Sequence, residues 1–491
     1  MKRAGKAVLA LTLAAWSGAA SACVLGAVYN LPIPFAMYAS GAGGALVVSF
    51  AVVALVLRAA PDCGVMRPVA PERRADSLLA VPAWLVETLR WASVFGLLLT
   101  IATGFFGSSN PLANFNMTFF WMIFLLGLTY LTAVLGDIYA LISPWRTLCA
   151  WIERAAPGIF RGRLPYPRWL GWYPALALYA TLIWGELFGQ TRPATLSLLL
   201  IGYGGLNVLA AWLIGRNAWF QYGEFFSVFF GLVGRMAPIE YLQDGAAEGS
   251  WRMRLRKPFV GLLDLRAGHV SLLLFIIFML SSTAFDGAHE TVPWVGMFWK
   301  GLYPALSAHL VLPYVVWVSV YYLWQSVMLL LLPLCYLAVY LLLLRLAKTL
   351  TASGLSLHDL ALRFAFTLIP IAFVYNVTHY YGELSTQGIQ ILRMISDPFN
   401  LGWNLFGTAQ WFTAPIVLDV GTVWHTQVAL ILAGHIVSVY LAHVEALKVF
   451  PNPRHAVLSQ LPMLVLMVLL TTVGLWILSL PIDAGQLSAP V

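Results

Sequence analysis

The chain alternates between long apolar runs without clusters of charge and short polar connections. A helix needs about 20 residues to cross the hydrocarbon core of a bilayer. Ten runs reach that length, at residues 34–57, 88–107, 117–142, 169–188, 195–215, 269–287, 313–344, 364–384, 424–447 and 460–480. The pattern predicts an all-α protein, a polytopic transmembrane helix bundle with about ten crossings.

The first 22 residues have the pattern of a signal peptide. Lys2, Arg3 and Lys6 precede an apolar stretch, and Ala20-Ser21-Ala22 supplies small residues for cleavage. The alternative is an uncleaved first helix. We therefore expect a signal peptide over residues 1–22 and a single transmembrane helical domain over residues 23–491, and we leave open whether Cys23 is lipidated.

One apolar segment does not fit a crossing. If residues 218–236 crossed the membrane, the basic run at residues 252–257 would lie outside, against the tendency of basic residues to stay inside. We therefore predict a re-entrant or interfacial helix, which a membrane protein tolerates where other parts of the protein cover it.

Composition agrees with this topology. Hydrophobic residues make up 60% of the chain and charged residues only 10%, which excludes a soluble protein. Of the 28 Lys and Arg residues, 22 lie at the predicted inner face and three (Arg192, Lys300, Arg393) at the outer face. The chain is predicted to lie in a bacterial inner membrane with both mature termini in the periplasm. Membrane lipid, not nucleic acid, is the expected partner of its net charge of +8.

Ionisable residues in or beside a bilayer are costly and are therefore candidates for function. The predicted outer side has seven acidic residues against its three basic ones, and most of the imidazoles. These residues include Glu186, Asp286, His289, Glu290, His309, His379, Glu383, Asp397, Asp419 and His425, with His435 deeper. Toward the inside lie Asp137, Arg146, Arg216, Glu224, His443 and Glu445.

The string HYYGE puts His379 and Glu383 on one helix face, where they could bind a divalent metal ion or relay a proton. We predict His379, His435, Glu383 and His309 as metal ligands, and Glu383 and Asp286 as catalytic carboxylates. The metal's identity is left open. The simpler interpretation is that these side chains form packing hydrogen bonds. A haem between His379 and His435 is a further alternative.

Several strings together resemble a family of bacterial polytopic membrane proteins labelled fenitrothion hydrolase. The strings are Asn30-Leu-Pro-Ile-Pro34 before Tyr38, Ser143-Pro-Trp-Arg-Thr147, Ser282-Thr-Ala-Phe-Asp-Gly287, Tyr375-Asn-Val-Thr-His379, Ser396-Asp-Pro398 with Gly402-Trp-Asn-Leu-Phe-Gly407, Gly434-His435 and Ala442-His443. Members often begin their mature chain with His-Gly, where this chain has Cys23-Val24-Leu25-Gly26.

The resemblance implies hydrolysis of an organophosphorus triester, an apolar small molecule. Together with the predicted metal ligands, it leads us to expect that a metal-bound water attacks the phosphorus. The alternative is a transporter or metal-handling membrane protein that captures a cation in the acidic outer vestibule, with Glu186, Glu224 or Asp137 on a path inward. A purely structural subunit is a third possibility. A transporter predicts a continuous file of ionisable residues between the outer and inner layers, whereas a hydrolase predicts ionisable residues that stop at one closed outer pocket.

Overall fold

A computed structural model describes residues 33–57, 79–189, 191–243, 250–265, 267–414, 416–450 and 452–481. Twelve main helices are α1 Phe35–Val56, α2 Ala83–Phe106, α3 Phe115–Leu135, α4 Pro144–Ala155, α5 Tyr173–Phe188, α6 Pro193–Ile214, α7 Phe225–Gly234, α8 Val270–His289, α9 Tyr314–Thr351, α10 Leu357–Met394, α11 Val420–Val449 and α12 Pro453–Ser479. Shorter helical turns cover Pro111–Ala113, Ile138–Ile142, Arg168–Leu170, Arg216–Ala218, Trp219–Gly223, Val260–Leu263, Val292–Gly296, Met297–Leu302 and Tyr303–Ser307.

The predicted all-α transmembrane bundle is confirmed, and the chain is a multi-pass membrane protein. Within the described residues, nine helices are long and apolar enough to cross a membrane. The one predicted crossing without such a helix is residues 169–188, which corresponds to α5, a helix of only 16 residues. The predicted signal peptide and the tail after residue 481 lie outside the described residues.

Two predicted boundaries were wrong for local reasons. The run predicted at 117–142 stops at Leu135, because Gly136 has a φ of 92° and Asp137 then caps a new turn. The run predicted at 364–384 extends over 357–394, because short 3₁₀ turns at Ala365–Leu368 and Gly388–Gln390 continue the helix at both ends.

The segment predicted as re-entrant or interfacial is a broken helix buried in the protein. A π-helical turn, Trp219–Gly223, ends at Glu224, whose backbone is extended, and α7 begins at the next residue. Ten residues at 1.5 Å each span about 15 Å, half of a hydrocarbon core. Most of α7 is buried, including four phenylalanines. The segment therefore has the length and the protein cover of a re-entrant element.

Two helices lie at the centre of the bundle. α8 and α10 are buried over most of their length, and they pack against each other. α8 also contacts α5 and α9, and α10 contacts α11. α9, by contrast, has only eight buried residues among its 38, and Pro333 lies in its interior. The functional candidates on α8 and α10 thus lie among five packed helices.

A small antiparallel sheet lies at the predicted inner side. Its strands are β1 Leu79–Val81, β2 Ile239–Gln243 and β3 Trp251–Leu255, with β3 in the middle. The register pairs Ala80 with Arg252 and Glu240 with Arg254. The sheet connects the strand that precedes α2 with the two strands that follow α7.

The contact between α2 and α6 depends on a glycine. A Cβ at Gly104 would lie 2.6 Å from the carbonyl oxygen of Pro193 and closer still to the side chains of Ser197 and Asn116. The amide of Asn116 donates to that same carbonyl oxygen over 2.8 Å. Position 104 therefore has no room for a methyl group unless the two helices separate.

We expect Gly104→Ala to lower the free energy of unfolding by about 1–3 kcal/mol, as overpacking of a closed contact does. The measurement is the denaturation midpoint of the purified protein in detergent. Gly202→Ala on α6 is the matched control, because a Cβ there meets nothing within 4 Å. Equal midpoints for the two variants would contradict this account of the α2–α6 contact.

Candidate functional site

The outer candidate site forms where the last turn of α8 meets α10. The imidazole Nε2 of His379 lies 2.9 Å from Oδ2 of Asp286. The hydroxyl of Tyr380 donates a hydrogen bond to the same carboxylate oxygen. The Asp286 side chain is only 12% exposed, so these two partners replace most of its contact with solvent. The structure thus brings a predicted catalytic residue and a predicted metal ligand into direct contact.

A third helix adds a second carboxylate. Glu186, near the end of α5, interacts electrostatically with Asp286, Glu383 and His379, and with the hydroxyl of Tyr380. These five residues, contributed by α5, α8 and α10, are called the outer cluster below. Three of its members are carboxyl groups and one is an imidazole, so protons and cations are the species that it suits best.

The outer cluster borders an enclosed cavity of about 30 Å³. Glu186, Asp286 and Tyr380 line it together with Asn376. The other lining residues are Leu125, Leu126, Thr129, Tyr179, Leu182, Ile183, Leu187, Phe225, Phe229, Ser282 and Thr283. A water molecule needs a cavity of roughly 10–15 Å³ by the same measure, so the space suits one or two waters or a small ion.

One oxygen at this cavity lacks a partner. Oδ1 of Asn376 is buried and accepts no hydrogen bond from the described residues. Leaving a buried polar atom unpaired costs about 1–3 kcal/mol. An occupant of the cavity that offers a positive charge or a hydrogen-bond donor would remove that cost.

Glu383, predicted both as a ligand and as a catalytic carboxylate, lies one helical turn after His379 on α10. It interacts electrostatically with His379 and Asp286. It is absent from the lining of the cavity. Its carboxyl group therefore acts on the charge of His379 without lining the cavity.

His435 lies at a different level. It is fully buried on α11, where its Nδ1 lies 2.8 Å from the carbonyl oxygen of Ile431, and its ring packs edge-on against Tyr375 at 5.9 Å. The side-chain amide of Gln427 on α11 donates to the carbonyl oxygen of Thr378 on α10 at 2.9 Å. Gln427 therefore marks the depth along α11 that corresponds to His379. Eight residues separate Gln427 from His435, or about 12 Å along the helix. His435 is thus too deep to share one ion with His379.

Three other histidines lie outside the outer cluster. His309 is exposed after the turn Tyr303–Ser307, outside the outer cluster. His289 bonds the carbonyl oxygen of Asp286 at 2.7 Å and stacks on Phe285. His443 lies between the carbonyl oxygen of Leu57 and the side chain of Gln460.

The four predicted metal ligands are therefore not brought together. In the part of the chain that the structure describes, no group of three or more His, Cys, Asp or Glu side chains is arranged to hold a metal ion. The different levels of His379 and His435 also give no support to a haem between them. A bound divalent metal stays a prediction from the sequence.

A second group of ionisable side chains surrounds the break before α7. The buried carboxylate of Glu224 accepts hydrogen bonds from the amides of Phe226 (3.2 Å) and Ser227 (2.6 Å). The hydroxyl of Tyr203 also donates to it, and that of Tyr139 lies 3.5 Å away.

Arg146 and Asp137 interact electrostatically with this carboxylate, and burial raises the pKa of the Asp137 carboxyl to about 6. Glu224, Tyr203, Tyr139, Arg146 and Asp137 are called the inner cluster below. The chain thus buries two ionisable clusters, one near each predicted face.

Tyr380 and Asn376 are the two site residues that sequence reasoning missed. Both lie within strings singled out around His379, but neither tyrosine nor asparagine stands out in an apolar helix. Only the helical spacing held a signal: Asn376, His379, Tyr380 and Glu383 follow one another at steps of three, one and three residues, which places them along one side of α10.

No family model, curated protein or solved structure matches this chain. The resemblance to the proteins labelled fenitrothion hydrolase therefore stays a prediction. The chemistry of the site has to be inferred from its own geometry.

Proposed function

We propose that this protein is a membrane transporter that exchanges a small cation for protons at the outer cluster. One observation carries the proposal. The carboxylates of Asp286 and Glu186 come from different helices and face one enclosed cavity of about 30 Å³.

The lining of this cavity favours a cation over an anion or an apolar ligand. Two carboxyl residues, the phenol of Tyr380 and the amide of Asn376 line it, and the buried Oδ1 of that amide accepts no hydrogen bond from the described residues. Oxygen ligands of this kind suit hard cations such as Na⁺, Li⁺, Mg²⁺ and Ca²⁺. The small volume suits a single metal ion better than an organic cation.

The same carboxylates also bind protons, which gives the exchange its physical basis. Two neighbouring carboxylates in a poorly solvated site are not both left charged without compensation. Either a proton or a metal cation supplies that compensation, so binding of one disfavours binding of the other. His379, 2.9 Å from Asp286, is placed to accept or return a proton as the occupant changes.

The distribution of ionisable groups gives further support. A hydrolase needs one outer pocket, whereas this chain buries a second cluster around Glu224. The proposal keeps the orientation predicted from the basic residues, with the outer cluster toward the periplasm of a bacterial inner membrane.

Hydrolysis of an aryl phosphotriester, which the resemblance implies, is the competing proposal. Ligand pockets for molecules of that size typically measure about 300–1,000 Å³, far more than the cavity beside Asp286. A larger concavity of about 830 Å³ lies at the outer end of α11, but Asp419 and residues of α11 alone line it, so it is an open side of one helix.

The test uses the purified protein in liposomes loaded with the pH-sensitive dye pyranine. With an acidic interior, external NaCl, LiCl, KCl, MgCl₂ or CaCl₂ is added in turn, and we expect at least one cation to cause proton release that protein-free vesicles lack. The same preparation is assayed for phenol release from an aryl phosphotriester. Phenol release without any cation-dependent proton movement would overturn the transport proposal in favour of hydrolysis.

A further inference from the structure

We infer that Glu224 is the inner proton-binding residue of this transporter, separated from the outer cluster by a layer of aromatic rings. The inference rests on the proposed function, and it adds a second site to it. Glu224 immediately precedes Phe225, and Phe225 lines the same cavity as Asp286 and Glu186.

The aromatic layer consists of Tyr179, Phe225 and Phe229. Tyr179 stacks on Phe225 with ring centroids 4.7 Å apart and planes 16° apart, and Phe229 lies 5.8 Å from Tyr179. All three line the cavity. Tyr179 precedes Glu186 by seven residues on α5, which places the layer about 10 Å further along the helix. The layer therefore bounds the cavity on the side of the inner cluster.

Glu224 is placed to bind a proton as well as to cap α7. Its side chain is fully buried, and burial of a carboxylate is costly unless the charge is compensated or removed by protonation. The preferred helix caps are the shorter Asn, Asp, Ser and Thr. Glutamate reaches further, to the hydroxyl of Tyr203 on α6 and to that of Tyr139.

Charged groups from neighbouring elements face this site. Arg146 on α4 and Asp137 after α3 interact with Glu224 and Tyr139, and Arg216 interacts with Arg146. A proton that reaches Glu224 forms the neutral carboxylic acid. It leaves by way of Tyr139 toward Asp137, whose carboxyl has a pKa of about 6 and can exchange protons near neutral pH. Arg146 offsets the negative charge that remains when Glu224 is ionised.

The first test is Glu224→Gln in the pyranine liposomes. Glutamine keeps the size of the side chain but only one of the two oxygens, so one of the amide hydrogen bonds from Phe226 and Ser227 is lost, and we expect a small fall in the denaturation midpoint with the protein still folded. It cannot exchange a proton, so cation-dependent proton release should fall to the level of protein-free vesicles. Glu224→Asp should restore part of the rate. Glu445→Gln, a carboxylate paired with Lys448 at 3.2 Å on α11, is the control and should behave as wild type.

The second test does not depend on transport. Infrared difference spectra of the detergent-purified protein, taken on acidification, should contain a protonated-carboxyl band that Glu224→Gln lacks. If the wild type and Glu224→Gln gave identical spectra and released protons at the same rate, the inference would be overturned and the proposed function would be left intact. If Glu224→Gln lost transport but its spectrum matched that of the wild type, the inference would also be overturned, because the loss of transport would then come from a structural change and not from a missing proton site. A wild type without cation-dependent proton release would defeat the proposed function itself, while the spectra would still decide whether Glu224 titrates.

Discussion

Replacing Asp286 by Asn should abolish cation-dependent proton release. Asparagine has nearly the same shape and still accepts a hydrogen bond from Tyr380, but it neither carries a charge nor exchanges a proton. It removes one of the two carboxylates at the cavity and the charged partner of His379 at 2.9 Å. Vesicles that contain the variant should match protein-free vesicles in the initial rate of pyranine response to every salt.

Glu290→Gln is the matched control for Asp286→Asn. Glu290 lies four residues later, beyond the end of α8, and its side chain is 50% exposed beside His289. It carries the same charge near the same face but does not line the cavity. We expect its proton release to equal that of the wild type. If Asp286→Asn retained full proton release, or if both variants lost it equally, the outer cluster would not be the cation site.

Glu240→Ala should cause the largest loss of stability. The Glu240 carboxylate, 10% exposed, contacts three guanidinium groups, those of Arg235 at 2.9 Å, Arg254 at 2.5 Å and Arg256 at 3.2 Å. Its removal leaves three like charges together at the inner sheet. Breaking a buried ion pair costs about 3–5 kcal/mol. We expect the lower end of this range because Arg235 and Arg254 are 39% and 31% exposed.

The measurement for Glu240→Ala is chemical denaturation in detergent. Glu87→Ala provides the comparison, since Glu87 meets Arg90 and Arg154 only at 3.5 Å and is 36% exposed. Exposed pairs of this type contribute about 0–1 kcal/mol. A similar loss in both variants would show that the three arginines do not depend on Glu240. Stability alone is the readout for this pair of variants, because Arg235 also interacts electrostatically with Asp137 of the inner cluster.

Hydrophobic runs and charge placement predict most of the fold. The crossings follow from local composition, and the basic run at residues 252–257 correctly excluded a crossing at 218–236. The helix boundary at Leu135 could not be predicted in this way. It depends on a positive φ at Gly136 and on a cap by Asp137, whereas the apolar pattern continues through both residues.

The candidate site was only partly predictable. Helical spacing determines which side of its helix a residue lies on, but it does not determine which residues of an adjacent helix lie at the same depth in the membrane. Asp286 and His379 were both expected on the outer side, and they meet. His435 was expected to join His379, yet α11 runs antiparallel to α10 and carries His435 about 12 Å deeper. The approach of Glu186 to Tyr380 depends on the packing of α5 against α8, which no local pattern specifies.

The length of α9 has a consequence for the surrounding lipid. Its uncharged stretch from Tyr314 to Leu344 measures about 46 Å at 1.5 Å per residue, against about 30 Å for a hydrocarbon core. Such hydrophobic mismatch is relieved by tilting, kinking or a locally thicker bilayer. Pro333, which removes a backbone hydrogen bond within this stretch, provides a place for a kink. We therefore expect α9 to lie oblique to the membrane normal, with Arg345 and Lys348 held among the lipid phosphates at its inner end.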